Sequence, residues 1–518
     1  MEKTNRKWWV LITVSLAVLM AMLDITIVNV ALPEIQKNFS SDFSNLQWVL
    51  NAYTLVYAAM LLPISKLGDI IGRKKVFLLG LAIFVIGSLT SGLASSDLWL
   101  NIFRGFQGIS GAAMMSLSLT IVTASFPEKQ RGLALGIWSS VVGVAISGGP
   151  LIGGALVDSF GWRSIFLVNI PFGILAILLG LFFIQESNKN SNEKIDFLGF
   201  VLSTALIFTT VLALIQKEMH ENYLWTDWHI LTLLGLSIIL LIAFIITERI
   251  VKQPMIELSI FRNWSFNGAN IAAFVLGAGL YGGFTYLAIL MQNYMGYSAF
   301  ETGVKMLLIS GFTIILGPLA GIISGKIGNR WLISGALFIG AIGILVMRQM
   351  IKVPFEWSYL MPGFVLLGIS NALVNPPISN AAMSSVDKKQ VGMASGILNV
   401  FRQVGISFGV VMLGIKLTEG YNNSLDKHIM AIQNIDSGFK HQMLEVFHKS
   451  GAFAGSLIFE SKQAEVFKQM PAYEHIKNIV FSAFNAGIKD VDLFIAIFLL
   501  IGSLASALLI REKSKPGL

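Results

Sequence analysis

Apolar residues recur in blocks of about 20 along the whole chain, and this recurrence leaves few folds open. A helix of that length rises 1.5 Å per residue and crosses about 30 Å of hydrocarbon; a soluble core has no use for so many. Breaking the runs at charges and turn residues predicts fourteen helical spans, at about 8–32, 46–65, 76–94, 98–122, 132–157, 163–184, 196–216, 229–249, 265–291, 302–323, 331–350, 357–381, 391–416 and 490–511. Composition agrees, because 55% of the 518 residues are hydrophobic and only 13% are charged, against about a quarter charged in a soluble domain. The expected fold class is an all-α polytopic membrane protein seated in a lipid bilayer. With no cysteine, disulfides, thiol nucleophiles and thiolate metal sites are excluded, and the six histidines lack metal-ligand spacing. No metal site is expected.

A net charge of +8 suggests nucleic acid until the basic residues are placed. With the N-terminus inside, 21 of the 37 Lys and Arg fall in cytoplasmic segments and five in short outer ones. Basic residues in short loops resist translocation, so both termini are expected in the cytoplasm and no nucleic-acid partner is implied. The first span is too long for a signal-peptide core and has no small-residue cleavage pattern, so it reads as a retained helix. The compact loops and absent cysteine fit the inner, or plasma, membrane of a bacterium. One long outer segment, 417–489, balances seven Lys with seven acids. Ile429, Ile432, Phe439, Leu444, Phe447, Phe453, Leu457 and Phe459 predict short amphipathic helices there. These would form a packed outer cap or, alternatively, a surface that gates or docks a periplasmic or outer-surface partner.

Between spans two and three the chain reads Ser65-Lys66-Leu67-Gly68-Asp69-Ile70-Ile71-Gly72-Arg73-Lys74-Lys75. This resembles the cytoplasmic signature of the major facilitator superfamily, with Ser65 and Ile70 departing from it. A degenerate copy, Gly321 to Arg330, follows span ten and carries Gly325 where the first has its acid. Two copies imply repeated six-helix sets with two helices inserted. The expected layout is an N-terminal bundle at 1–190, inserted helices at 191–262 and a C-terminal bundle at 263–518. Leu23-Asp24-Ile25-Thr26 through Pro33, Arg104-Gly105-Phe106-Gln107-Gly108, Gly149-Pro150-Leu151-Ile152-Gly153-Gly154, Gly161-Trp162-Arg163 and Asn169-x-Pro171 are similar to signatures of the 14-helix drug:proton antiporter branch. The resemblance implies two bundles that open alternately to either side of the membrane.

Ionisable groups inside spans are costly unless paired or hydrated, and so mark function. Asp24 lies about 13 Å from the outer end of its span and Arg104 about 9 Å into span four from the same side, so they can share a depth. Asp24 is the candidate proton-coupling carboxylate with Arg104 beside it; a permanently ionised structural pair is the alternative. Asp69, Gly72 and Arg73 are expected to form a cytoplasmic gate, since an acid followed by basic residues at a helix end can pair with a neighbouring helix in one conformation only. Gly149, Pro150, Gly153 and Gly154 permit close packing and a bend, and the resemblance makes them the closest approach between the bundles. Arg402 lies about 16 Å into span thirteen, where the sequence offers it no acid, so it either bonds backbone carbonyls and amide side chains or meets an anionic substrate group or cavity water. With Tyr53, Tyr57, Gln107, Trp138, Tyr281, Asn371 and Asn375 it completes the candidate substrate cavity, since aromatic faces and amides suit a flat lipophilic or cationic molecule.

No stretch resembles the phosphate-binding G-x-x-x-x-G-K-S/T loop, so no nucleotide cofactor is expected; the resemblance implies a proton gradient as the energy source. The chain is expected to be no enzyme. Its expected function is multidrug efflux, the proton-coupled export of small lipophilic or cationic molecules. Export of an endogenous metabolite, lipid or self-made antibiotic is the nearest alternative, and a membrane receptor or scaffold a more distant one.

Overall fold

A computed structural model describes residues 3–39, 43–187, 196–220, 223–387, 389–432, 436–455, 459 and 473–511. Six helical crossings form the first bundle: α1 (Lys3–Phe39), α2 (Phe43–Ile71), α3 (Arg73–Gly92), α4 (Asp97–Ser125), α5 (Glu128–Phe160), and the short α6 (Ser164–Leu167) continued by α7 (Asn169–Phe183). Among the described residues thirteen helices are long and apolar enough to span a membrane, and the bent α5 makes a fourteenth. That helix turns by 45° between Glu128–Ile146 and Gly148–Phe160. Pro150 explains the bend, since its ring nitrogen has no hydrogen for the Ile146 carbonyl one turn back.

Helices α8 (Phe197–Met219) and α9 (Trp228–Ile250) form the inserted hairpin. The first packs on α2, and only 17% of the apolar window of the second is buried, so α9 faces lipid. The second bundle starts with a crossing at Trp264–Tyr294 made of α10 (Trp264–Leu276) and α11 (Gly282–Ile289), each followed by a wider π-turn. It continues with α12 (Ala299–Ile327), α13 (Asn329–Met350), α14 (Trp357–Ser384), α15 (Val391–Met430), the short α16 (Ser437–Ser450) and a final α17 (Tyr473–Leu509).

The two motif copies adopt the same local shape. Gly72 caps α3 with φ 122° and Gly328 caps α13 with φ 89°, both in the region that a side chain disfavours. The repeat seen in the sequence is therefore a repeat of backbone conformation.

The outer segment departs from expectation at its edges. Helix α15 runs on to Met430, and α17 begins at Tyr473 rather than near 490. Charges at Lys416, Glu419 and Asp426 end the hydropathic span, yet Leu417, Tyr421, Leu425 and Ile429 keep helical spacing and are buried. The helices continue as amphipathic extensions, with Gly420 and Gly487 letting their backbones meet. Met443, Leu444 and Phe447 of α16 are buried, and the following turn is tied down by Tyr294, whose hydroxyl donates to the Ala452 carbonyl at 2.6 Å. Asn293 Nδ2 donates to the Phe453 carbonyl at 2.6 Å. These contacts form a packed cap on the second bundle; Leu457 lies outside the described residues.

Candidate functional site

A cavity of about 570 Å³ lies between the bundles, lined by α1, α2, α4, α5, α8, α11, α12 and α15. It reaches from Tyr57 and Asn399 at mid-bundle to Asn29, Asn51 and Gln292 at one end. The other end, carrying Asp69, is sealed. There Asp69 pairs with Arg73 at 2.8 Å and sits against Gly392 in the first turn of α15. A carboxylate at a helix N-terminus meets unsatisfied N–H groups and the positive end of the dipole. Ser65 Oγ donates to the Gly392 carbonyl, and Ser395 Oγ donates to the Ser116 carbonyl at 2.8 Å. Gly72 keeps room for the Glu186 carboxylate, which accepts from the Lys74 backbone at 3.1 Å. Along the other seam, the α5 and α12 backbones meet at Gly132 with Gly321 and at Gly136 with Gly317, and Ser140 Oγ donates to the Thr313 carbonyl at 2.8 Å.

Behind one cavity wall lies a polar cluster inside the first bundle. Asp24 and Arg104, each 1% exposed, form an ion pair through Asp24 Oδ2 and Arg104 Nη1. The second carboxylate oxygen accepts from Asn169 Nδ2 at 3.2 Å. Arg104 also donates through Nη1 to Gln107 Oε1 at 2.9 Å and through Nε to the Val49 carbonyl at 3.0 Å. Gln107 Nε2 and Asn169 Nδ2 share Ser88 Oγ as acceptor, at 2.8 and 3.3 Å. Arg104 and Gln107 are three apart on α4 and so share a face. The guanidinium carbon lies 4.5 Å from the centre of the Tyr53 ring, a cation–π contact. Gly108 lets α2 come this close, because a Cβ there would stand 2.5 Å from the Tyr53 carbonyl. Arg104 lines the cavity and Asp24 sits behind it.

Other sequence candidates divide. Tyr53, Tyr57, Tyr281, Pro150 and Arg402 are in the cavity wall. Asn371 and Asn375 stand one layer back and fix the Tyr281 hydroxyl, which donates to Asn371 Oδ1 at 3.2 Å and accepts from Asn375 Nδ2 at 2.9 Å. Gln107 is likewise outside the lining, held in the Asp24 cluster. Trp138 is buried away from the cavity, its indole donating to Ser118 Oγ at 3.1 Å, because α5 turns that face toward α4. The span-five glycines also need correction. Gly149 abuts Thr26 and Gly153 abuts Ile27, both in α1, so they pack inside the first bundle; Gly154 lies beside Phe300 of α12 at ordinary distance. The glycines of α5 that meet α12 tightly are Gly132, Gly136 and Gly143, while within the motif stretch it is Leu151 whose backbone α12 approaches, through Gly303.

Two acids escaped the sequence reading, which left Asp24 the only one well inside a span. Glu218 lines the cavity from the last turn of α8. Its helix runs past the expected end at 216, and Lys217 beside it disguised the extension. Asp492, 1% exposed, is buried well inside the lengthened α17, its Oδ2 without a hydrogen-bond partner. Among the described residues no three His, Asp or Glu side chains cluster as a metal site.

The sequence model of the Major Facilitator Superfamily matches residues 14–410. "Multidrug resistance protein Stp" of Mycobacterium tuberculosis is 34% identical over 420 residues, covering 81% of this chain and 77% of that protein. "Multidrug transporter protein MdtP" of Bacillus subtilis is 28% identical over 509 residues, 97% of this chain and 92% of its own. A solved bacterial homologue of the human lysosomal transporter Spinster, inward-facing and unoccupied, shares the fold with a TM-score of 0.59 at 18% identity, covering 99% of each chain. The chain is a multi-pass membrane transporter, not an enzyme, and it belongs to the Major Facilitator Superfamily.

Proposed function

We propose that the protein exports small lipophilic molecules in exchange for protons, by alternating access between its two bundles. The one-sided cavity carries this reading: a chamber of about 570 Å³ opens at one end and is sealed at the Asp69 end by contacts between bundles rather than within them. The positive-inside rule puts the Asp69 turn and both termini in the cytoplasm of a bacterial cell, so the cavity faces outward. Relatives that carry multidrug names support a broad lipophilic substrate class. Asp24 is the proton carrier in this scheme. Protonation would remove the counter-charge of Arg104, freeing a cation in the cavity wall to rearrange with the bundles. The test is a panel of lipophilic cations, neutrals and anions presented to reconstituted vesicles under an imposed pH gradient, scoring both uptake and proton release. Proton release that depends on one compound is expected; uptake without any proton movement would leave only facilitated diffusion.

The seal gives its own prediction. Asp69→Asn removes the ion pair and the charge facing α15, contacts at a helix start worth about 0.3–2 kcal/mol. The sealed state should lose population by roughly two- to thirty-fold. Spin labels on the α2–α3 and α14–α15 turns should then report longer distances; distributions identical to wild type would leave Asp69 a local role.

A further inference from the structure

Arg402 stands about three turns into α15, lines the cavity and is 7% exposed. Its Nε and Nη2 are buried without hydrogen-bond partners. These two nitrogens make one edge of the guanidinium, and their N–H bonds run parallel, the arrangement that grips both oxygens of a carboxylate. Among the described residues no carboxylate lies within ion-pairing distance of it. Arg104 makes the contrast clear. It shares the cavity wall, yet its donors are taken by Asp24, Gln107 and the Val49 carbonyl.

A buried cation with an unpartnered edge is costly unless something completes it. The backbone that carries it is closely packed. Gly277 packs on the Arg402 carbonyl and Gly405 on the Phe274 carbonyl, so α10 and α15 touch backbone to backbone around this position. Tyr57 and Tyr281 add aromatic surface to the same cavity, and the Tyr281 hydroxyl is already committed to Asn371 and Asn375. Glu218, the carboxylate in the lining, belongs to the last turn of α8, beside the mouth, where the neighbouring Met219 accepts from Asn51.

We propose that Arg402 is the recognition point for an oxyanion of the transported molecule, a carboxylate or its equivalent on a flat lipophilic body. The inference rests on the transporter reading of the cavity and names the substrate class within it.

Isothermal titration of the purified full chain with 2-naphthoate, its neutral amide 2-naphthamide, and acetate separates the sources of binding. Naphthoate should bind at least about tenfold more tightly than the amide, the discrimination a charge-assisted bidentate contact supports. Acetate should bind far more weakly than naphthoate, because it lacks the aromatic body. Arg402→Gln should erase the preference for the acid, and Arg402→Lys, a point charge without the fork, should keep only part of it. Equal affinity for acid and amide in the wild type, or an undiminished preference in Arg402→Gln, would overturn the proposal. Acetate binding as tightly as naphthoate would overturn it too, since the site would then hold small ions only. Should Arg402→Gln fail to fold, the wild-type comparison and Arg402→Lys still decide. Naphthoate preference without naphthoate export from vesicles would keep the anion site and sink the exporter reading. Export of other compounds with no acid preference would do the reverse.

Discussion

Asp24→Asn is expected to abolish substrate-driven proton release from proteoliposomes while the protein still inserts and stays monodisperse. Asparagine keeps the volume and can still accept from Asn169, so the fold has a substitute for one of the two contacts. The charge of Arg104 has none. Leaving one member of a buried ion pair uncompensated typically costs about 3–5 kcal/mol, though here the Val49 carbonyl and Gln107 still hold the guanidinium and soften the loss. A lower melting temperature should therefore accompany the loss of coupling. The double variant Asp24→Asn/Arg104→Gln separates the two roles of the pair. As a purely structural pair, its removal as a unit should restore stability and proton release together. As a proton carrier, Asp24 leaves the double variant stable but uncoupled. Arg104→Lys should recover only part of the activity, because one ammonium cannot reach Val49, Asp24 and Gln107 at the angles of a planar fork. Wild-type proton release in Asp24→Asn would end the case for Asp24.

Gly321→Ala is expected to be nearly as damaging, and by a different route. Even a single Cβ there would run into the Gly132 carbonyl, backbone against backbone, with no flexible side chain to yield. Overpacking costs about 1–3 kcal/mol, and in the proposed alternating-access cycle this contact would be made only while the bundles are closed at the Asp69 end. The cost thus falls on one conformation, shifting the balance by roughly 5- to 150-fold and slowing the cycle accordingly. Melting temperature should hardly move, since each bundle is intact. Gly149→Leu makes the opposite control: it strikes Thr26 inside the first bundle and should lower the melting temperature in every conformation. Normal exchange in Gly321→Ala vesicles would show that the seam relaxes at no cost.

Hydropathy and motif spacing report depth along a helix well, which is why the crossings, the repeated glycine turn and the meeting of Asp24 with Arg104 were legible in the sequence. They report azimuth poorly. Trp138 and the Gly149–Gly153 pair were assigned the wrong neighbours because helical period alone does not say which partner a face meets in a chain buried on most sides. Glu218 and Asp492 were missed for a related reason: a charge ends a hydropathic window, whereas the helix carrying it continues as long as its apolar stripe finds a partner. In the sequence Asn169 is only one member of a pattern, and its contact with Asp24 depends on where α7 begins relative to α1.

Helix α15 runs unbroken for 40 residues, roughly 60 Å. Gly392 is at one end, Arg402 partway along and the cap at the other. A rod of this kind acts as a lever. Any tilt that pulls Gly392 away from Asp69 swings the far tip the opposite way, and the cap rides on that tip. In the proposed cycle the state of the membrane-buried chamber would thereby be displayed as a displacement at the protein's surface. A binder that clamps the cap to the first bundle would hold the lever still, arresting the cycle without entering the cavity.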